Sequence, residues 1–184
     1  QDPKGLVRLS VPVDLPLDRL AGAMTDFHDR YPDVQVEVHI SDRPVDLTGE
    51  RFDFALRGNR AASENVIVRK IASSPLVAVG RPEVLAGTSF RVLAKEGRVL
   101  DPAGALSAQD RSAATVFRTR NLQLARALVL SADVAAVLPR SMCEDALASG
   151  ELQEAGCPVA LPELPLFLVL PSRRFIPGRV RLLV

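Results

Sequence analysis

Between Leu6 and Ile40 the hydrophobic period of the chain changes twice, and this restricts its fold more than any other feature of the 184 residues. Val7, Leu9 and Val11 alternate with Arg8 and Ser10, the two-residue period of a strand. Leu17, Leu20, Met24, Phe27 and Tyr31 then recur at three- and four-residue spacing, which lines one face of a helix ending before Pro32. Val34, Val36, Val38 and Ile40 return to alternation, interleaved with Gln35, Glu37, His39 and Ser41. A strand, a helix and a second strand in that order fit a parallel pair, because parallel neighbours need a long crossover. At the first corner, Asp14 with Pro16 two positions on reads as the helix start. A carboxylate there can accept orphan N–H groups, and proline needs no partner in the first turn.

The two periods keep alternating downstream. Val45 to Glu50 reads as a helical turn or two, Phe52 to Leu56 as a strand closing at Arg57-Gly58, and Val66 to Ala72 as another strand. After Ser73-Ser74-Pro75 comes the β-branched run Leu76 to Val79, then Gly80-Arg81-Pro82 and a short helix over Glu83 to Ala86. The least periodic stretch, Gly87 to Ala114, holds a helix at Phe90 to Lys95. Val116-Phe117 reads as strand, Leu122 to Leu130 as helix, and Val134 to Leu138 as a buried strand stopped by Pro139. Cys143 to Ala148 reads as a helix ending at Gly150, a natural position for left-handed backbone. Pro158 to Pro165 is an extended connection, Leu166 to Leu170 a buried strand, and Val180 to Val184 the start of a helix or strand. Strands and helices in alternation predict an α/β fold with a mostly parallel sheet.

Composition narrows the function classes. At 47% hydrophobic the chain can bury a sizeable core, and 23 basic against 22 acidic residues leave a net charge of +1. No basic face marks it as a nucleic-acid binder. Apolar runs such as Leu164 to Pro171 fall well short of the ~20 residues of a membrane helix. The N-terminus as given lacks the charged and apolar regions of a secretion signal, which favours a cytoplasmic location. Cys143 and Cys157, with His28 and His39 isolated, make neither a disulfide framework nor a zinc set. No phosphate loop, dinucleotide fingerprint or nucleophile elbow occurs, and neither histidine has a Ser or Cys at motif spacing, so no catalytic residue, metal or cofactor is expected.

Several ordered landmarks carry a resemblance. They are Gly5 to Leu9, Phe27 through Tyr31-Pro32-Asp33-Val34, Asp46-Leu47, Phe52-Asp53-Phe54-Ala55-Leu56-Arg57 and Val68 to Ala72. Gly80 to Leu85, Val134 to Pro139, Leu147 to Leu152 and Val169 to Arg174 continue the series. Together they resemble the effector-binding domain of LysR-type transcription regulators over nearly the whole chain. The resemblance implies a type 2 periplasmic-binding-protein fold, with two Rossmann-like α/β lobes joined by two crossing segments. Lobe I would hold residues 1–74 and 161–184 and lobe II residues 75–160, with Ser73 to Pro75 and Pro158 to Pro165 as the crossings. The family's N-terminal winged helix-turn-helix is absent here, and Gln1 to Lys4 would fall in or after its linker, so specific DNA binding would need that missing domain. Two departures stand out. Ser131-Ala132-Asp133 replaces the family's Gly-x-Gly before Pro139, and the stretch from Leu85 to Val116 is short, which implies a reduced lobe II.

By the same resemblance a small-molecule effector lies between the lobes. Pro12, Val13 and Asp14 would form one corner of its site, where the family commonly offers hydroxyls to a carboxylate. Asp14 then has two readings: it disfavours anions and selects a neutral or cationic effector, or it caps its helix. Arg57 either presents its five donors to the ligand or pairs at the surface with Asp53 or Glu50. Thr119 and Asn121 either face the ligand or cap the next helix, and Ser41 ends its strand nearby. The two cysteines are structural thiols or, as in some relatives, oxidant sensors. Arg173, Arg174, Arg179 and Arg181 read as a solvated rim. The implied assembly is a homodimer or tetramer in which the first helix and Val34 to Ile40 pack on a partner's second lobe. The rivals are a stand-alone solute-binding protein of similar fold, an enzyme on this scaffold, and a regulator whose cleft is filled by its own side chains.

Overall fold

The alternating segment at Val7, Leu9 and Val11 becomes a strand with hydrogen-bonded neighbours on both sides. The computed structural model describes residues 4–43, 52–59, 66–112, 114–172 and 178–181. Along the chain the elements are β1 (Gly5–Val11), α1 (Leu17–Arg30), β2 (Val34–Ile40), β3 (Phe54–Arg57), β4 (Val66–Gly80), α2 (Pro82–Leu85), α3 (Phe90–Lys95), β5 (Val99–Leu100), α4 (Leu122–Ser131), β6 (Ala135–Pro139), α5 (Glu144–Ser149), β7 (Gln153–Glu154), β8 (Glu163–Pro171) and α6 (Gly178–Arg181). They divide into two compact units, residues 1–73 with 165–184 and residues 74–164. Both divisions fall inside strands, β4 and β8, rather than in loops.

In the first unit β2 and β3 flank β1, both parallel to it, and β8 adds antiparallel to β3. Alternate residues feed two cores on opposite faces of this sheet. Val7, Leu9, Val11, Phe54, Leu168 and Leu170 pack with Phe27 of α1 and Val180 of α6. On the other face Phe52, Ala55 and Val169 pack with Val66 and Val68. Ser10 is fully buried although the alternation marks it as polar, because the sheet is covered on this second side as well. The helix stripe is confirmed in part: Phe27 is buried, whereas Leu17 remains half exposed. The helix begins later than Asp14. Pro12 accepts from the amide of Leu15 in a turn, and the N-cap position of α1 falls to Pro16, with no side-chain cap. The helical turn expected at 45–50, with the landmark Asp46-Leu47, lies outside the described residues, as do Arg173 and Arg174.

The second unit is built on β4, β6 and β5. β6 runs antiparallel to β4 and parallel to β5, and short β7 pairs with the end of β4. Val79, Leu100, Ala136 and Leu138 face α4 and α5, while Ala78, Val99, Ala135 and Val137 face α2 and α3. Leu93, Leu138 and Leu152 are each less than 2% exposed, and burial of each contributes about 1.5–3 kcal/mol. Ser89 caps α3 by accepting from the amide of Val92, and Gly150 ends α5 at φ 81°. Three local readings need correction. Residues 66–80 form one continuous strand rather than two. Pro75 is tolerated because the ladder to β6 begins only at Leu76, so its missing N–H costs that ladder nothing. Val116-Phe117 belongs to no strand, and β5 and β7, two residues each, give too little periodicity to be read from sequence.

Ser131-Ala132-Asp133 does not need glycine. Ala132 is extended at φ −121°, and the corner is held from outside: Arg98 Nε donates to the Asp133 carbonyl at 2.7 Å, and Arg81 pairs with the Asp133 carboxylate at 2.7 Å.

Candidate functional site

Three parallel strands of the first unit end side by side at Val11, Ile40 and Arg57, and the residues beyond them form a polar corner. Carboxyl ends of parallel strands are where open α/β sheets commonly bind ligands. The corner is internally bonded. The Ser41 amide donates to Val11 O at 2.9 Å, the Val13 amide to Asp42 Oδ1 at 3.0 Å, and the Arg43 amide to Ser41 Oγ at 3.2 Å. Arg57 is 9% exposed, which excludes the surface arginine considered above. Its Nη2 donates to Ser10 Oγ at 2.7 Å and its Nη1 to Leu56 O at 2.6 Å. Asp53, the pairing partner considered for it, instead accepts from the Arg8 amide at 2.9 Å. Glu50 lies outside the described residues. Pro12, Val13, Ser41 and Arg57 thus lie at the ends of β1, β2 and β3. Asp14 sits in the adjoining turn, two residues before the N-cap position of α1.

The second unit contributes a separate arrangement. Asn121 caps α4, accepting from the Leu124 amide at 2.7 Å, and its own amide donates to Thr119 Oγ1 at 3.0 Å. Thr119 lines an open cavity of 830 Å³ whose lining residues all lie in this unit between Val99 and Arg120. Asp101 shapes it: its carboxylate is 3% exposed and accepts from the amides of Ala105 at 2.8 Å and Leu106 at 2.9 Å, with Arg111 at 3.8 Å. Arg111, Arg118 and Arg120 all line the cavity. Sequence reasoning missed Ser10, Asp42, Asp101 and these arginines. The Arg118-Thr119-Arg120 triplet was the available signal, passed over because the stretch around it has no period.

The histidines and cysteines do not converge on a reactive centre. His39 Nε2 lies 2.5 Å from Glu37 Oε1 and its ring meets Phe52 edge-on, while Arg8 Nε also bonds Glu37 at 3.1 Å. The His39 bond, with Arg8 beside it, holds the Glu37 carboxyl below the ordinary carboxylate value. Cys143 packs in the core on the α4 side of the second sheet and Cys157 against the core on the α3 side. A sheet therefore separates them, and a disulfide needs Cα atoms within about 7 Å. Burial pushes the Cys143 thiol up to about 11, against the opposing pull of Arg126 and Arg140. Among the described residues no group of His, Cys, Asp or Glu could hold a metal ion, and no helix is long and apolar enough to cross a membrane.

Two α/β units, one of them carrying polar groups at the ends of parallel strands, define a ligand-binding class, the type 2 periplasmic-binding-like fold. Solved structures support that assignment. The regulatory domain of CrgA, a LysR-type transcriptional regulator from Neisseria meningitidis, superposes with a TM-score of 0.81 at 22% identity, covering 98% of this chain and 95% of that one. The regulatory domain of AphB in Vibrio vulnificus gives 0.74 at 16% identity, covering 100% and 96%. The chain belongs to the LysR substrate binding domain family, which matches residues 1–184. Among curated proteins it is similar to the HTH-type transcriptional regulator PtxR of Pseudomonas aeruginosa, 29% identical over 195 residues, 98% of this chain and 62% of that protein. An HTH-type transcriptional regulator of Xanthomonas campestris is 31% identical over 100 residues, 54% of this chain and 27% of that protein. The chain thus spans less than two thirds of either regulator's length.

Proposed function

We propose that this chain is the effector-binding and dimerisation part of a bacterial LysR-type regulator that acts in the cytoplasm, reaches DNA only through a separate helix-turn-helix domain, and catalyses no reaction. The observation that carries the reading is the family match along all 184 residues. The effector contacts Pro12, Val13, Asp14, Ser41 and Arg57 in the first unit and Thr119 and Asn121 in the second. A ligand that binds one conformation better than another shifts the population toward it, which is all a sensor requires. Half-exposed Leu17 on α1 and Ile40 on β2 support self-association through that edge, since a lone chain leaves both apolar side chains in water.

The test is a thermal-shift screen of small molecules on this chain, followed by titration of each hit against Arg57→Lys and Thr119→Ala. Both substitutions are expected to weaken the hit by about tenfold, the worth of one lost hydrogen bond to a charged group. Hits that bind both variants as tightly as the parent overturn the assigned contacts. Reading the gene upstream of Gln1 separates the regulator from a solute-binding protein: a helix-turn-helix supports the first, an export signal the second.

A further inference from the structure

We propose that Asp42 sets the specificity of the first unit's corner: its carboxylate holds the backbone donor that an anionic ligand would need, so the corner refuses carboxylates and takes an uncharged or cationic group. The inference rests on the reading above of this corner as part of the effector site, and it names the charge that the site excludes. Pro12 has no N–H, so the Val13 amide is the first donor beyond the end of β1. A backbone amide at the carboxyl end of a parallel strand is the kind of group that grips an oxyanion. Asp42, 29 residues away in sequence, already fills that role, because its Oδ1 accepts from the Val13 amide at 3.0 Å. The segment bearing it is held on both sides. The Ser41 amide donates to Val11 O at 2.9 Å, the Arg43 amide to Ser41 Oγ at 3.2 Å, and the buried Arg57 donates from Nη2 to Arg43 O at 3.4 Å. A carboxylate arriving from solvent must therefore displace one that is tethered in place, and must approach its charge together with that of Asp14 in the adjoining turn. A ligand with an N–H meets no such barrier. Asp42 is exposed, and a carboxylate accepts at two oxygens, of which the Val13 amide engages one.

The experiment titrates this chain with benzamide and with benzoate, which share a shape and differ in charge, and follows the Val13 amide by NMR. In the parent chain benzamide is expected to bind about tenfold more tightly than benzoate, read as the concentration that saturates the Val13 shift. Asp42→Ala opens the amide and removes the charge, so benzoate should bind it about tenfold more tightly than it binds the parent, while benzamide gains nothing. Asp42→Asn keeps an oxygen acceptor for the amide without the charge and should fall between the two. If thermal unfolding shows that Asp42→Ala has lost its fold, Asp42→Asn decides: tighter benzoate supports the inference and unchanged benzoate overturns it. Asp29→Asn, near the other end of α1, should match the parent. Benzoate moving the Val13 amide of the parent as readily as benzamide overturns the inference, as does a folded Asp42→Ala that gains no benzoate affinity, or a Val13 amide that neither probe moves in any of these chains. An anionic hit from the thermal-shift screen that moves the Val13 amide of the parent also overturns it, while leaving the proposed effector contacts intact. Hits indifferent to Arg57→Lys and Thr119→Ala, with benzoate still gained in Asp42→Ala, overturn those contacts and leave this inference standing.

Discussion

Replacing Gly97 with alanine tests whether the loop after β5 is a fitted part of the second unit. Gly97 has φ +72°, and a Cβ there would fall on the carbonyl oxygen of Ala114, with the Ala114 carbonyl carbon at 3.0 Å and Thr115 Cα at 3.1 Å. Backbone cannot swing aside as a flexible side chain can. The segment that must move is tied down by the Val116 amide donating to Gly97 O at 2.9 Å and the Ser112 amide donating to Ala94 O at 3.2 Å. Left-handed strain of about 1 kcal/mol and two displaced hydrogen bonds at about 1 kcal/mol each give a loss of about 3 kcal/mol. For a chain of this length that lowers the melting temperature by about 9 °C. Gly150 is the control, because its φ is +81° and an added Cβ meets nothing within 4 Å. Gly150→Ala carries the strain alone, about 1 kcal/mol and about 3 °C. Differential scanning calorimetry on both variants decides the matter: equal shifts would refute the packing argument. Since Thr115 lines the cavity, Gly97→Ala should also weaken any ligand held there, and Gly150→Ala should not.

Removing the cap of α4 in Asn121→Ala should cost about 1 kcal/mol, read as a lower midpoint in urea with an unchanged slope. Ser10→Ala removes the 2.7 Å acceptor of Arg57 Nη2, leaving that nitrogen the longer bond to Arg43 O at 3.4 Å, and should cost about 1 kcal/mol by the same measurement. Cys143, fully buried and with its thiol held near 11, should resist a disulfide reagent at pH 8 until the chain unfolds, while half-buried Cys157 reacts first. Equal rates for the two thiols would contradict the burial. Because the Glu37 carboxyl is held below its ordinary value of 4.5, its contribution is complete above that pH and fades as pH falls through the lowered value. Glu37→Gln should therefore flatten the acid limb of the stability profile, and an unchanged limb would show that the contacts with His39 and Arg8 contribute nothing.

The first unit was largely legible because its elements are long enough to repeat their period: the strand at Val7, Leu9 and Val11 and the helix stripe through Phe27 each give several turns of signal. The errors lie where two local rules compete. Asp14 is a favoured cap and Pro16 a favoured first-turn residue, yet Asp14 falls inside the turn from Pro12 to Leu15 and the helix starts beyond the proline. Ser73-Ser74-Pro75 looks like punctuation, but proline's fixed φ is compatible with extended backbone and the strand runs on. At the site, Arg57, Thr119 and Asn121 could be named from resemblance. Ser10 could not, since an alternating pattern marks it as solvent-facing and only the second layer over β1 buries it. The arginines of the cavity lie in a stretch with no regular element between Leu100 and Leu122, where sequence offers no period to read.

That stretch has an evolutionary corollary. From 107 to 121 none of the described residues belongs to either hydrophobic cluster of the second unit, whose nearest members are Leu106 and Leu122. Exchanges along it can therefore change size, charge and hydrogen-bonding character without opening voids beneath the sheet. Recognition can drift there while folding is conserved, and sister proteins tuned to different molecules should diverge first between those two leucines.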